Sequence, residues 1–132
     1  MPVLFNKVQR GNPQDPTDKK WYAVLKTISM ISQKEVAKQV ADETTLNPKE
    51  AEMAMEQLLK ILVRNLLASQ SVQLGDWGSF HLTCNSLGFN TKEAVTAHAI
   101  KNLNIRFSPG KALKEELKDA TFLSAEELSN GK

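Results

Sequence analysis

Val72-Gln73-Leu74-Gly75-Asp76-Trp77-Gly78-Ser79-Phe80-His81-Leu82-Thr83 is the stretch on which the fold turns. Two short apolar segments flank a Gly-x-x-Gly interruption, and Phe80 and Leu82 alternate with polar neighbours. That pattern predicts a β-hairpin whose turn needs positive φ at its glycines, with Phe80 and Leu82 facing inward. A nucleotide-loop reading of Gly75 and Gly78 fails, because the spacing is incomplete for a dinucleotide fingerprint or a P-loop and the stretch leads into a strand rather than a helix. Downstream, Asn104-Ile105-Arg106-Phe107 predicts a returning strand. Ser108-Pro109-Gly110-Lys111 then predicts a helix to about Lys118, with Ser108 as N-cap and Pro109 in the first helical position. Between the strands, Leu87-Gly88-Phe89-Asn90 reads as a turn, and Thr91 to Ile100 has weak helical character.

Upstream, Ser32-Gln33-Lys34-Glu35 fits a capping box, and Val36, Ala37, Val40 and Ala41 follow at helical spacing. Asn47-Pro48-Lys49-Glu50 marks a second helix start, with Asn47 as cap and Pro48 where a missing donor costs nothing. This helix should run to about Ala68. Its first half carries Glu50, Glu52 and Glu56, whereas its second half, from Leu58 to Leu67, is apolar most of the way round. A helix of that kind needs cover on more than one side, and a second copy of the chain is a natural source. Residues 3–10 and 19–28 are rich in β-branched and aromatic residues, and Asn12 to Asp18 between them is turn chemistry, so an N-terminal strand pair with a longish loop is expected. The last residues, 120–132, read as a polar and partly disordered tail in which Ser124 caps one short turn at most.

The chain has 132 residues, 41% of them hydrophobic, enough for one modest core. Its formal charge of +2 is unevenly spread. Residues 1–31 hold five bases against two acids, residues 32–71 five against six, and residues 72–132 seven against seven. Cys84 is the only cysteine and has no internal partner. With no signal-like segment and no apolar run long enough to span a bilayer, a cytoplasmic, membrane-free protein is expected. His81, His98 and Cys84 do not form a zinc spacing, and no nucleophile stands out with its base. No metal, cofactor, small-molecule substrate or enzymatic activity is therefore expected.

The segment Val72 to Phe80 resembles the hairpin signature of the HU and integration host factor family of bacterial histone-like proteins. Ile105-Arg106-Phe107-Ser108-Pro109-Gly110-Lys111-Ala112-Leu113-Lys114 is similar to that family's closing motif, and the two occur in the family's order. With the two preceding helices, the resemblance covers roughly residues 32–119. It implies an α+β fold: an intertwined dimer with a helical base, a β-sheet and β-ribbon arms that reach around DNA in the minor groove, where an apolar wedge can kink the duplex. The implied layout is an N-terminal β extension over 1–31, a DNA-binding domain over 32–119 with its arm at about 83–106, and the tail over 120–132. The extension resembles that of a longer Bacteroidetes-type branch of the family. The arm is short, lacks the family's Arg-Asn-Pro tip, and carries few bases.

The resemblance implies DNA contacts at Lys92, Lys101 and Arg106 on the arm and at Lys111 and Lys114 on the body, where a helix start adds its dipole and free amides. Arg106 adjoins Phe107 and has a structural reading as well. Phe89 stands nearest the missing tip as a candidate wedge, but folding back onto the arm or core is the favoured reading without that tip. Gly75, Gly78, Phe80, Phe107, Pro109 and Gly110 are expected to be structural. The implied function is largely sequence-neutral binding and bending of double-stranded DNA by a homodimer associated with the nucleoid, contributing to DNA condensation. The alternative is an HU-fold interaction module with weak or no DNA binding, favoured by the low net charge, since two copies carry only twice +2. A helix-turn-helix reading of Val36 to Leu46 followed by the helix from Pro48 fails on charge, because Glu50, Glu52 and Glu56 on the would-be recognition helix face phosphates of like sign.

Overall fold

The computed structural model describes residues 2–130, except for the side chains of Ser129 and Asn130. The described residues form two compact units: Ser32 to Glu115, and the residues up to Ile31 together with those from Glu116 onward. Two three-stranded sheets and four α-helices make this an α+β chain.

In the central unit, α1 (Gln33–Glu43) starts at Ser32, whose hydroxyl accepts a hydrogen bond from the Glu35 amide at 3.2 Å. Helix α2 (Pro48–Leu67) starts at Asn47, whose Oδ1 accepts from the Glu50 amide at 2.8 Å. The Asn47 amide group also donates to the Glu50 carboxylate, so cap and third residue hold each other. Helix α1 packs on α2, and the fully buried alanines Ala37 and Ala51 let the two backbones approach closely. Leu62 and Leu66 complete the buried part of α2.

The central sheet has the order β3-β4-β5, from β3 (Val72–Gln73), β4 (Gly78–Ser86) and β5 (Ile100–Pro109), all antiparallel. Gly75 and Gly78 take φ of +58° and +145°, as the turn between β3 and β4 requires. Phe80 and Phe107 pair across β4 and β5 with ring centroids 4.8 Å apart. Two expectations need correcting here. The returning strand begins at Ile100, four residues before Asn104, and the weakly helical stretch is two single 3₁₀ turns, Lys92–Ala94 and Ala97–Ala99. Ser108 and Pro109 are not the cap and first residue of a helix: they end β5, paired with Ser79 and Gly78, and α3 begins only at Lys111 and runs to Leu117. Pairing with β4 wins over the local Ser-Pro signal, and Pro109 loses little at a strand end, where no ladder donor is needed.

In the second unit, β1 (Val3–Asn12) pairs antiparallel with β2 (Asp15–Leu25), and β6 (Phe122–Ser124) adds in parallel on the other side of β1. Only Pro13 and Gln14 separate the strands, so the loop expected over Asn12 to Asp18 is shorter than its composition indicates. Its extra residues lie within β2 instead, where the register jumps from Gly11↔Lys19 to Asn12↔Asp15. Side chains stabilise this bend: Asn12 Oδ1 accepts from the Gln14 amide at 2.9 Å, and Asp15 Oδ1 accepts from the Thr17 amide and hydroxyl at 3.1 and 2.7 Å. The Thr17 hydroxyl and then its amide hold the exposed Asp15 carboxyl below its ordinary pKa by favouring the charged form.

The polar tail is also revised. Phe122 and Leu123 sit opposite Val3 and Leu4, and α4 (Ala125–Asn130) follows, while residues 131–132 lie outside the described residues. Ser124, read as a cap, ends β6 with its hydroxyl buried and unpartnered among the described residues.

Candidate nucleic-acid interface

The candidate contact residues lie on the β4–β5 ribbon and at the start of α3. Along β5, Lys101 and Arg106 are five residues apart, and in a regular strand an odd separation puts two side chains on opposite faces. The structure brings them to the same face. The register shifts between Thr83↔Asn104 and Asn85↔Lys101, so Cys84 opposes both Asn102 and Leu103, the two-against-one count of a β-bulge. Asn102 adopts φ of +53°, which asparagine tolerates better than most residues. The Asn104 side-chain amide donates to the Asn102 carbonyl at 2.8 Å and braces the bend.

After the bulge, Lys101 pairs with Asn85, Asn104 with Thr83 and Arg106 with His81, forming one polar face. Phe80, Leu82, Ile105 and Phe107 occupy the other. Lys101 and Arg106 are exposed, which places Arg106 away from the Phe80–Phe107 contact despite its adjacency to Phe107 in sequence. Nothing in the sequence pattern revealed Asn102 and Asn104; asparagine at a strand position of low β-propensity was the available signal.

Beyond Ser86 the ribbon narrows to a loop that closes on itself, with the Leu87 amide donating to the Ala99 carbonyl at 2.9 Å and Ala99 buried. Lys92 opens the first 3₁₀ turn and is exposed. Phe89 is 48% exposed, neither folded into a core nor fully displayed.

At the other end, the two glycine motifs interlock. The Gly110 amide donates to the Trp77 carbonyl at 2.6 Å and the Leu74 amide to the Gly78 carbonyl at 2.9 Å. A Cβ on Gly78 would lie 2.2 Å from the Ser108 carbonyl oxygen, and one on Gly110 would lie 2.2 Å from that of Asp76. Both glycines are thus fixed by close backbone approach. A shallow recess lies over this crossing, lined by Gln73, Asp76, Ser79, Ser108 and Lys111 among others. Lys111 and Lys114 are exposed on α3, whereas Asp76 puts a carboxylate on the rim, so attraction for an anion falls to the lysines more than to the helix start.

A helical pair packed with a three-stranded sheet whose last two strands extend as a ribbon defines an HU-type architecture. A family described as an HU domain fused to wHTH, Ig, or glycine-rich motif matches residues 1–124, and the chain belongs to that family. Among solved structures, a protein from Bacteroides vulgatus ATCC 8482, provisionally described as a bacterial DNA binding protein, superposes with a TM-score of 0.65 at 17% identity. That match covers 93% of this chain and 48% of the other, so the chain spans about half the length of this relative. HU from Anabaena, solved in a cocrystal with DNA, superposes with a TM-score of 0.53 at 17% identity, covering 67% of this chain and 99% of the other. At these identities the likeness concerns the fold. No curated protein is significantly similar in sequence.

Proposed function

We propose that the protein is an architectural DNA-binding protein that works as a homodimer, gripping duplex phosphates with Lys111 and Lys114 on the body and Lys92, Lys101 and Arg106 on the arm. The observation that carries this reading is the bulge at Asn102, which aligns Lys101 with Arg106 on one exposed face in a fold whose Anabaena member is solved on DNA. Phosphate contacts tolerate imprecise placement, so binding is largely sequence-neutral, and any preference is for bent or flexible duplexes. Residues 32–119 form the DNA-binding domain in this reading, with the arm at 83–106. Phe89, half exposed at the arm's end, is the wedge candidate. Association with the nucleoid follows from the function. Among the described residues no helix is long and apolar enough to cross a membrane.

The arm test is a salt titration on a short fluorescent duplex. Replacing Lys92, Lys101 and Arg106 by alanine should weaken binding to all sequences alike and lower the slope of log K against log salt by about 0.9 for each phosphate no longer neutralised. An unchanged slope removes the arm from the mechanism.

The dimer rests on α2. Leu59, Val63 and Leu67 recur at four-residue spacing and are 54%, 42% and 65% exposed, forming an open apolar stripe beside Lys60 and Arg64. A single chain leaves this stripe wet, and a second α2 would cover it. Leu59→Glu with Val63→Glu should leave secondary structure intact and weaken association by roughly two orders of magnitude or more, read by sedimentation across a concentration series. A wild-type chain that sediments as a monomer at high concentration would defeat the dimer.

The competing reading, a fold kept for protein interaction, draws on the low net charge. It requires that the wild-type chain fail to bind duplexes even at low salt.

A further inference from the structure

The proposed contacts lie in one basic stretch, residues 83–114, with five bases against Glu93, and the N-terminus holds a second. Residues 1–31 hold five bases and two acids, a surplus of three; residues 32–132 hold twelve bases and thirteen acids, a deficit of one. All of the bases in residues 1–31 except Lys26 sit on a specific structure, where the surplus is two. Strand β6 pairs only with Val3 to Phe5, so Asn6–Asn12 and Asp15–Val24 continue as a two-stranded ribbon without a third strand, roughly 20 Å long. Up to Ala23, every residue in these two strand segments except Val8 is exposed.

The register fixes where the cations lie. Arg10 faces Lys20 directly across the strands, on the face that also carries Tyr22. Lys7 and Lys19 lie on the other face, with Gln9 and Trp21, which is 67% exposed. Like charges directly opposite each other destabilise a strand pair, and none of these four cations forms an ion pair among the described residues. Asp15 does not relieve them, because its carboxylate is engaged by Thr17 in its own bend, and Asp18, beside Arg10 and Lys20, offsets one of those two charges. A surface serving only the fold would balance its charge here, whereas the ribbon sets four cations against two acids. A local cost without a local gain marks a surface shaped for something else.

We infer that the N-terminal β-ribbon is a second DNA-contacting arm, which lies in a groove of double-stranded DNA and contacts phosphates through Lys7, Arg10, Lys19 and Lys20. Cations on both faces suit a ligand that presents negative charge on two sides, as the phosphate rows bordering a groove do, and the major groove admits a two-stranded ribbon. A protein docked on one face would leave the cations of the other unanswered. This inference rests on the reading that the chain binds DNA, and it adds residues 6–24 as a second electrostatic contact beside the 83–106 arm, with the same net charge of two.

The test uses the full chain and a fluorescent duplex of about 20 base pairs, long enough for two turns of the groove, at several salt concentrations. One variant carries Lys7→Gln, Arg10→Gln, Lys19→Gln and Lys20→Gln; the control carries Lys34→Gln, Lys38→Gln and Lys49→Gln on the helical base. The ribbon variant should lower the salt slope by about 0.9 for each phosphate it releases, roughly 3.6 if all four cations engage, while the control keeps its slope. Because the changes relieve repulsion, the ribbon variant should melt no earlier than wild type. Three results overturn the inference and leave DNA binding standing: an unchanged slope in the ribbon variant, an equal loss per charge in the control, or tighter wild-type binding to the single strand than to the duplex. Failure of the wild-type chain to bind any duplex at low salt overturns both.

Discussion

Gly110→Ala should cost the central unit about 2–5 kcal/mol, a large share of the stability of an ordinary domain. The added methyl would sit 2.2 Å from the Asp76 carbonyl oxygen and 2.9 Å from the carbonyl carbon, and both atoms are backbone that cannot swing aside. Making room moves the start of α3 away from the turn and breaks the 2.6 Å hydrogen bond from the Gly110 amide to the Trp77 carbonyl. Overpacking typically costs about 1–3 kcal/mol, and a strained or broken backbone hydrogen bond adds about 1–2. Gly78→Ala should do at least as much harm, since its Cβ meets the Ser108 carbonyl at 2.2 Å and its φ of +145° is one that L residues avoid. Gly75→Ala is the internal control. Its φ is +58° but nothing lies within 4 Å, so only the left-handed backbone penalty applies, about 1–2 kcal/mol. Thermal melts should therefore rank Gly75→Ala well above Gly110→Ala and Gly78→Ala. Equal midpoints would mean that the two glycine motifs do not interlock in solution.

Leu66→Asp should leave almost no folded central unit. Leu66 is 2% exposed and is the largest fully buried side chain among the described residues. Its replacement forfeits about 2–3 kcal/mol of apolar burial and takes a carboxylate out of water, at a further cost of several kcal/mol. Leu62→Asp belongs to the same class, because Leu62 is 7% exposed within its own chain. Loss of that variant's fold would say nothing about dimerisation. The exposed stripe of Leu59, Val63 and Leu67 is where a charge separates association from folding, and circular dichroism of Leu66→Asp beside the Leu59→Glu, Val63→Glu variant makes the distinction. A well-folded Leu66→Asp would show that the chain's core lies elsewhere.

The two results share one geometry. Only five apolar residues are buried among the described residues, three of them alanines, so backbone approach at Ala37 and Ala51 and at Gly78 and Gly110 does much of what bulky side chains do in larger cores. Such a core has little slack for an added methyl, and it leaves large apolar surface for a partner to cover.

What the sequence determined by itself was whatever a few neighbouring residues can satisfy. Ser32 and Asn47 close orphan amides three residues away, so both helix starts were legible. Gly75 and Gly78 permit backbone angles that other residues resist, so the turn was legible too, and the two motifs identified the fold family. Tertiary structure decided everything that depends on a distant strand. Ser108-Pro109 reads locally as a helix start, yet it became the end of β5 because Ser79 and Gly78 offered pairing. Phe122 and Leu123, within an apparently polar tail, found their edge at Val3 and Leu4, at the far end of the chain. Lys101 and Arg106 share a face only because one extra residue enters β5 opposite Cys84, and β5's spacing alone would have set them apart. Local hydrogen bonds and backbone preferences are written in adjacent residues. Strand register is a long-range choice among pairings of similar energy, settled by which side chains the whole assembly buries.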